Sequence, residues 1–162
     1  MRIKTLLCAT IIVSTFSGCL KDSKQPVTHA NDVKVSLSGK WSPVSGKITY
    51  YDATGNVAFN AIVTPDTLAF NDDSSVKKIG TAGSASAGTY DITTTGNTDY
   101  ISVQSAGGND QFAIVTLQSR KLVLSEKLTY PDGATLSVGD NTFIYYSSVQ
   151  LNTYTKKDLP RN

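Results

Sequence analysis

The sequence predicts an all-β domain over residues 35–156, folded as an antiparallel up-and-down β-barrel of about eight strands. Short runs of β-branched and aromatic residues alternate with polar residues, and each run ends in Gly, Pro, Asn or Asp. These runs lack the 3.6-residue apolar period of a helix. Closing such a sheet removes its free edges, and the hairpin-like order of the runs favours a closed barrel over an open sandwich.

Turn signals divide the first half of this region into four predicted strands. The segments "DATGN" at 52–56 and "NDDSS" at 71–75 reverse the chain, because Gly and Asn tolerate positive φ. Pro65 interrupts a run, because proline donates no hydrogen bond to a sheet. The predicted strands are Lys47–Tyr51, Val57–Val63, Thr67–Phe70 and Val76–Ile79.

The second half repeats the pattern after Gly80–Gly88, a small-residue segment that predicts a mobile loop. The segments "TTGN", "SAGGND" and "QSRK" are turn signals between the runs that follow. "PDG" at 131–133 and "VGDN" at 138–141 bracket a short segment before the last run. The predicted strands are Thr89–Thr93, Asp99–Val103, Phe112–Leu117, Leu122–Tyr130 and a long, bent Thr142–Tyr154.

The N-terminal residues 1–18 have the pattern of a secretory signal peptide. Arg2 and Lys4 precede an apolar run from Leu6 to Phe16. That run is shorter than the roughly 20 apolar residues that span a bilayer, and it fits the apolar region of a cleaved signal.

The segment Phe16-Ser17-Gly18-Cys19 resembles the lipobox of bacterial lipoproteins. The resemblance implies that Cys19 receives diacylglycerol and that its new amine receives an acyl chain such as palmitate. The chain has two cysteines, and Cys8 would leave with the signal, so lipidation would use the one remaining thiol. Two or more acyl chains anchor a protein stably. Leu20 follows Cys19, and the absence of Asp there favours the bacterial outer membrane, with the periplasmic or the cell-surface side open.

Residues 19–34 predict a flexible tether, because they are polar and lack an apolar period. The single histidine, His29, lies here and is expected to be a solvated linker residue. Residues 157–162 form a short tail. Loss of Arg2 and Lys4 leaves 13 of the 15 basic residues against 13 acidic ones, so nothing indicates a nucleic-acid partner.

Gly39-Lys40-Trp41, within "LSGKW", resembles the G-x-W motif that opens the first strand of lipocalins. "TLAFNDDSSV", "GTYDI" and "LVLSEKLTYPDG" are similar to bacterial lipocalin-like lipoprotein domains, and the likeness covers Leu37 to Tyr154. It implies that Trp41 closes one end of an eight-stranded barrel. Thr98-Asp99-Tyr100 matches a second family motif, and Arg120 would pack over the tryptophan in the family, although its place in "QSRK" favours an exposed turn residue.

The alternation of apolar and polar residues predicts which side chains face the barrel interior. All eight tyrosines of the chain lie in the strand region, where a tyrosine suits either a half-buried strand or a cavity rim. Glu126 alternates with three leucines and is expected to face inward, as a ligand contact or as a rim residue past a bulge. The candidates for the barrel base or the ligand lining are Trp41, Tyr50, Leu68, Phe70, Tyr90, Ile92, Ile101, Val103, Glu126, Phe143 and Tyr145.

The sequence gives little support to catalysis or metal binding. A Ser-His-Asp or Cys-His arrangement needs a positioned imidazole, and the single histidine is in the tether. "NDD" at 71–73 suits a calcium ligand set or, more simply, a hairpin turn. A carboxylate pair for glycoside hydrolysis stays an open alternative. We therefore expect no enzyme activity, no catalytic residue, no cofactor and no bound metal.

These observations give three function hypotheses. In the first, a lipid-anchored barrel without enzyme activity binds a small apolar or amphipathic molecule in its interior. In the second, the barrel is filled by its own side chains and docks onto an outer-membrane complex or an extracellular glycan. An eight-stranded barrel allows both, because its interior either holds one small ligand or is filled by side chains. A third hypothesis is an enzyme inhibitor that acts through Gly80–Gly88.

Overall fold

A computed structural model describes residues 26–157 of the 162-residue chain, with side chains from His29 onward. The signal peptide, Cys19 and residues 158–162 lie outside this range. Within it, one helix precedes nine strands. They are α1 (Pro26–Leu37), β1 (Gly39–Tyr51), β2 (Val57–Val63), β3 (Thr67–Phe70), β4 (Ser75–Ile79), β5 (Ala85–Thr95), β6 (Thr98–Ser105), β7 (Gly108–Leu117), β8 (Lys121–Val138) and β9 (Asn141–Lys156).

Eight of the strands close into an antiparallel barrel. The order around the ring is β1, then β3 to β9 in sequence, and β9 pairs again with β1. This arrangement confirms the predicted all-β, antiparallel barrel with up-and-down order. The β2 strand stands outside the ring, because β3 pairs with Gly39–Trp41 of β1 while β2 pairs with Gly46–Tyr51. Pro65 lies between β2 and β3, where it ends the ladder.

Part of the sheet continues past the closed ring. The β7–β8 ladder ends at the pair Ala113–Ser125, whereas β8 runs on to Val138 beside β9. On the other side of β9, Gly46–Tyr51 of β1 carries β2. The four strand segments 57–63, 46–51, 141–150 and 126–138 thus form an open sheet, which we call the sheet extension.

The closed section of the barrel is filled by its own side chains. In the strands, alternate residues point inward, as in Leu68 and Phe70 of β3 or Tyr90 and Ile92 of β5. Each large apolar side chain buried in this way contributes about 1.5–3 kcal/mol. The buried apolar core comprises Val33, Leu37, Trp41, Leu68, Phe70, Val76, Tyr90, Ile92, Ile101, Val103, Leu122, Leu124 and Tyr154.

The predicted tether over 19–34 is corrected by the structure, because Pro26–Leu37 is helical. Proline suits the first turn of a helix, where its missing N–H has no partner to lose. Val33 and Leu37 are four residues apart, so they share one helix face, and both are buried in the core. Residues 26–34 therefore belong to the domain, while 19–25 lie outside the described residues.

Two further expectations change. The segment Gly80–Gly88 is a short turn rather than a long loop, since β5 already begins at Ala85. A Cβ at Gly88 would overlap the backbone carbonyl oxygen of Gln104, so a close approach of β5 to β6 explains glycine at this position. "PDG" does not end a strand either: β8 passes through it, with its register against β9 interrupted between Thr129 and Ala134.

Candidate ligand-binding site

Trp41 closes one end of the barrel. Its side chain has no exposed surface, and its Nε1–H donates a 2.6 Å hydrogen bond to the backbone carbonyl of Leu37. The ammonium of Lys156 lies 5.2 Å from the centre of the indole ring, within the range of a cation–π interaction. Helix α1, Trp41 and Lys156 therefore pack together at this end.

A small cavity of about 180 Å³ lies on the opposite side of the packed core. Its wall follows from the register: Leu124 pairs with Asn152, and two residues further along Glu126 pairs with Gln150. Both pairs face inward, because residues two apart in a strand share a face. The lining residues are Pro65, Asp66, Leu68, Lys78, Asp110, Phe112, Glu126, Gln150, Asn152 and Tyr154.

The cavity carries an excess of negative charge. Three carboxylates line it, from Asp66, Asp110 and Glu126, against the single ammonium of Lys78. Lys78 forms an ion pair with Asp110 and lies 5.6 Å from the centre of the Phe112 ring. Burial raises the pKa of Glu126, the charge of Asp110 raises it further, and Lys78 opposes both. A cation placed beside Glu126 would relieve this unfavourable environment.

A second space, which we call the slot, lies beside the cavity. The slot lies where β7 and β8 separate beyond the Ala113–Ser125 pair, and its volume is about 540 Å³. Asp110 and Glu126 line the cavity as well as the slot, so these two carboxylates border both spaces. The slot is lined by Tyr100, Asn109, Asp110, Gln111, Ala113, Ser125, Glu126, Lys127 and Leu128.

A row of five aromatic rings lies on the sheet extension, with successive centroids between 4.7 and 6.3 Å apart. We call it the aromatic row; in spatial order it is Phe143, Phe59, Tyr50, Tyr145 and Tyr130. Ile48 pairs with Gln150 and Tyr50 pairs with Ser148, so Tyr50 shares the strand face of the cavity wall. Tyr50, in the middle of the row, therefore lies about 7 Å along the strand from the Glu126 layer.

The candidate residues named from the sequence separate into three places. Trp41, Phe70, Tyr90, Ile92, Ile101 and Val103 are packed into the filled section, and Leu68 lies between that core and the cavity. Glu126 lines the cavity and the slot. Tyr50, Phe143 and Tyr145 lie in the aromatic row. Cys19 lies outside the described residues.

Sequence reasoning missed five of the polar strand residues around the cavity. Alternation alone could have found them, since Lys78 shares the face of buried Val76, and Gln150 and Asn152 share the face of buried Tyr154. Apart from Glu126, the candidates chosen from the sequence were all aromatic or aliphatic. The missed strand residues are Lys78, Asp110, Gln150, Asn152 and Tyr154, and Asp66, between β2 and β3, was missed as well.

The other residues discussed in the sequence analysis lie outside the cavity. His29 sits on α1 with Nε2 3.0 Å from a carboxylate oxygen of Asp99, so it is not the free linker residue we expected. Asp73 accepts a hydrogen bond from the backbone N–H of Ser75, which is the geometry of a turn. Arg120 lies in the exposed turn between β7 and β8.

The described residues contain no group of three or more His, Cys, Asp or Glu side chains that could hold a metal ion. Over the same range, the helix is too short and too polar to cross a membrane.

Comparison with known proteins returns little. No family model matches the chain, and no curated protein matches it either. Among solved structures, the crystal structure of a lipocalin-like protein from Bacteroides uniformis matches with a TM-score of 0.35 and 16% sequence identity. The match covers 68% of this chain and 97% of that one.

Proposed function

We propose that this protein is a lipid-anchored envelope lipoprotein whose barrel binds a small amphipathic molecule with a protonated amine head group. The observation that carries the proposal is the cavity at the open end of the filled barrel, where three carboxylates face one ammonium. An amine beside Glu126 would pair with a carboxylate whose ionised form is otherwise disfavoured by burial. Hydrogen bonds to an ionised partner are among the strongest in proteins.

An amphipathic ligand suits the surroundings better than a wholly apolar one. The apolar section of the barrel is already filled, so a purely apolar ligand would have to occupy a polar cavity. The apolar part of an amphipathic ligand would contact Leu128 in the slot and Phe112 beside the head group. Ligand pockets commonly have volumes of about 300–1,000 Å³, which the cavity reaches only together with the slot.

Binding without catalysis is the role that we assign to these groups. Asp110 is held in an ion pair with Lys78, and the imidazole of His29 lies on α1 beside Asp99, away from the cavity lining. The polar residues that remain, Gln150 and Asn152, are suited to orient a bound head group by hydrogen bonds.

The anchor is proposed from Gly18-Cys19 in the sequence. Growth of a bacterium that expresses the full chain with an alkyne analogue of palmitate should label the protein, and Cys19→Ser should abolish the label. A label that survives Cys19→Ser would contradict lipidation at this residue. Fractionation of the labelled cells then tests the outer membrane as its location.

The ligand class is tested with three probes that share one alkyl chain: octylamine, octanol and octanoate. In isothermal titration against the Cys19→Ser form, octylamine should bind most tightly and octanoate least. Glu126→Gln should weaken octylamine binding roughly tenfold or more, because a charge-assisted hydrogen bond contributes about 1.5–3 kcal/mol.

Asp140→Asn is the matched control, since Asp140 is an exposed acid in the β8–β9 turn and lies outside the cavity lining. This variant should bind octylamine as the parent does. Equal affinity for the three probes, or equal loss in both variants, would contradict an amine site at Glu126.

A further inference from the structure

The outer edge of β2 is free. In the sheet order β2 is the terminal strand, with β1 as its neighbour. The next strand of the ring, β4, pairs with β3 from Thr67 to Phe70 and ends at Ile79, so it does not reach β2. The N–H and C=O groups that point away from β1, on every second residue of this seven-residue strand, are therefore available for pairing.

This edge lacks charge and proline, two of the usual protections, although its ladder with β1 is irregular at Ala58. Proteins discourage pairing at an edge strand with charged side chains, proline, bulges or a covering loop. The strand reads "VAFNAIV", without a charge and without a proline. Ile62 is 83% exposed and Val57 is 55% exposed, so apolar side chains accompany the open backbone edge.

The opposite edge of the same sheet extension shows the contrast. Beyond its ladder with β7, β8 carries Glu126, Lys127, Pro131 and Asp132 along its free side. Its register with β9 is also interrupted between Thr129 and Ala134. Charge and proline protect β8, whereas β2 has neither of these two, and its ladder with β1 is irregular only at Ala58. The difference indicates that pairing is prevented at one edge and allowed at the other.

We propose that β2 pairs antiparallel with β2 of a second copy of this chain, with Asn60 on the two-fold axis. The strand is self-complementary in this register, because Phe59 faces Ala61 of the second copy, and Val57 and Ala58, where the β1 ladder is irregular, meet Val63 and Ile62. No like charges meet, since the strand has no charged residue. Exposed Ile62 gains an apolar neighbour across the junction.

A second copy fits this edge because an isologous interface needs one surface that complements itself. The paired strands join two sheet extensions into one sheet, in the order β8-β9-β1-β2 followed by its symmetric mate. Each β2 then has a neighbour on both sides, and the assembly closes as a dimer. The inference stands independently of the ligand proposed for the cavity.

The first test is the molar mass of the Cys19→Ser form by sedimentation equilibrium. The parent should be a reversible dimer. Ile62→Lys should be monomeric, because it places a charge on the paired edge, and it should keep its far-UV circular dichroism because Ile62 is exposed. Val115→Lys makes the same charge change at a residue of β7 that is 57% exposed, and it should remain dimeric.

A monomeric parent would overturn the proposal, and so would an Ile62→Lys variant that dimerises as tightly as the parent. Loss of the dimer in Val115→Lys as well would also overturn it, because a general effect of charge would then explain the result.

The second test fixes the register. With Cys8 and Cys19 replaced by serine, Asn60→Cys should form an intermolecular disulfide under mild oxidation, because residues that face each other in an antiparallel pair have Cα atoms about 4.5–5.5 Å apart. Thr135→Cys on the protected β8 edge should not cross-link. Equal cross-linking of the two variants, or none at position 60, would contradict pairing through β2.

Discussion

The indole Nε1–H of Trp41 donates a 2.6 Å hydrogen bond to the backbone carbonyl of Leu37, and neither residue has exposed surface. The last four carbonyls of a helix have no partner inside the helix. The bond supplies a partner for one of them and joins the end of α1 to the first strand of the barrel. The helix is thus part of the domain that Trp41 closes.

Replacing Trp41 with phenylalanine should destabilise the protein by about 1–3 kcal/mol, because the buried carbonyl of Leu37 loses its partner. The loss is measured as the change in the free energy of unfolding in urea. Tyr51→Phe, at a half-buried ring on the outer part of β1, is the control and should change the stability little. Equal stability of Trp41→Phe and the parent would contradict a structural role for this hydrogen bond.

Leu37→Ala should cost about 2–5 kcal/mol, because it removes a buried side chain from the base of the barrel. Val35 lies on the same helix but is 73% exposed, so Val35→Ala should be close to neutral. The free energies of unfolding of the two variants in urea show whether α1 packs against the barrel or is a flexible tether. If Leu37→Ala is as stable as Val35→Ala, α1 does not hold the barrel base.

Gly88→Ala should destabilise the barrel by about 1–3 kcal/mol, because the added Cβ would overlap the carbonyl oxygen of Gln104 in β6. Gly107 is the matched position, since a Cβ there would meet Ser105 Oγ at an unstrained 3.8 Å. Thermal unfolding of both variants is the measurement. A normal melting temperature for Gly88→Ala would show that β5 and β6 can separate at no cost.

Glu126→Gln should stabilise the ligand-free protein at neutral pH but not at low pH. Burial raises the pKa of Glu126 above the ordinary value of 4.5, so its ionisation opposes folding. This cost is absent below the ordinary carboxyl pKa, grows as the pH rises toward the raised folded value, and is complete above it. Glutamine does not ionise and so avoids it.

The check is the free energy of unfolding of Glu126→Gln and the parent over a series of pH values. The difference in unfolding free energy between the variant and the parent should appear as the pH rises above the ordinary carboxyl pKa. It should become constant once the pH is above the raised pKa of the folded protein. A difference that does not change with pH, or a parent that is more stable at neutral pH, would contradict the burial of this carboxyl.

The barrel could be predicted from the sequence because local signals determine it. Alternation set the inward face of β3, β5 and β6, and the turns "DATGN" and "QSRK" fixed two hairpins. Helix α1 could not be predicted in this way, because its apolar face consists of Val33 and Leu37 among polar residues. Burial against Trp41, a tertiary contact, stabilises that helix.

The cavity depends on relationships that a linear pattern does not contain. Glu126 was expected to face inward, and it does so as a cavity residue. Its neighbours Lys78 and Asp110 are 32 residues apart in the chain and meet only because the ring brings β4 opposite β7. The slot depends on where the β7–β8 ladder stops, which is decided by the sheet as a whole.

The most direct test of the central claim is an amide chemical-shift titration of the Cys19→Ser form with octylamine. We predict saturable shifts at Phe112, Glu126 and Gln150, which line the cavity, and none at Leu122 or Ile101 in the filled section. Shifts that centre on the filled section, or the absence of saturable shifts at the cavity, would contradict an amine-binding site at the open end of this barrel.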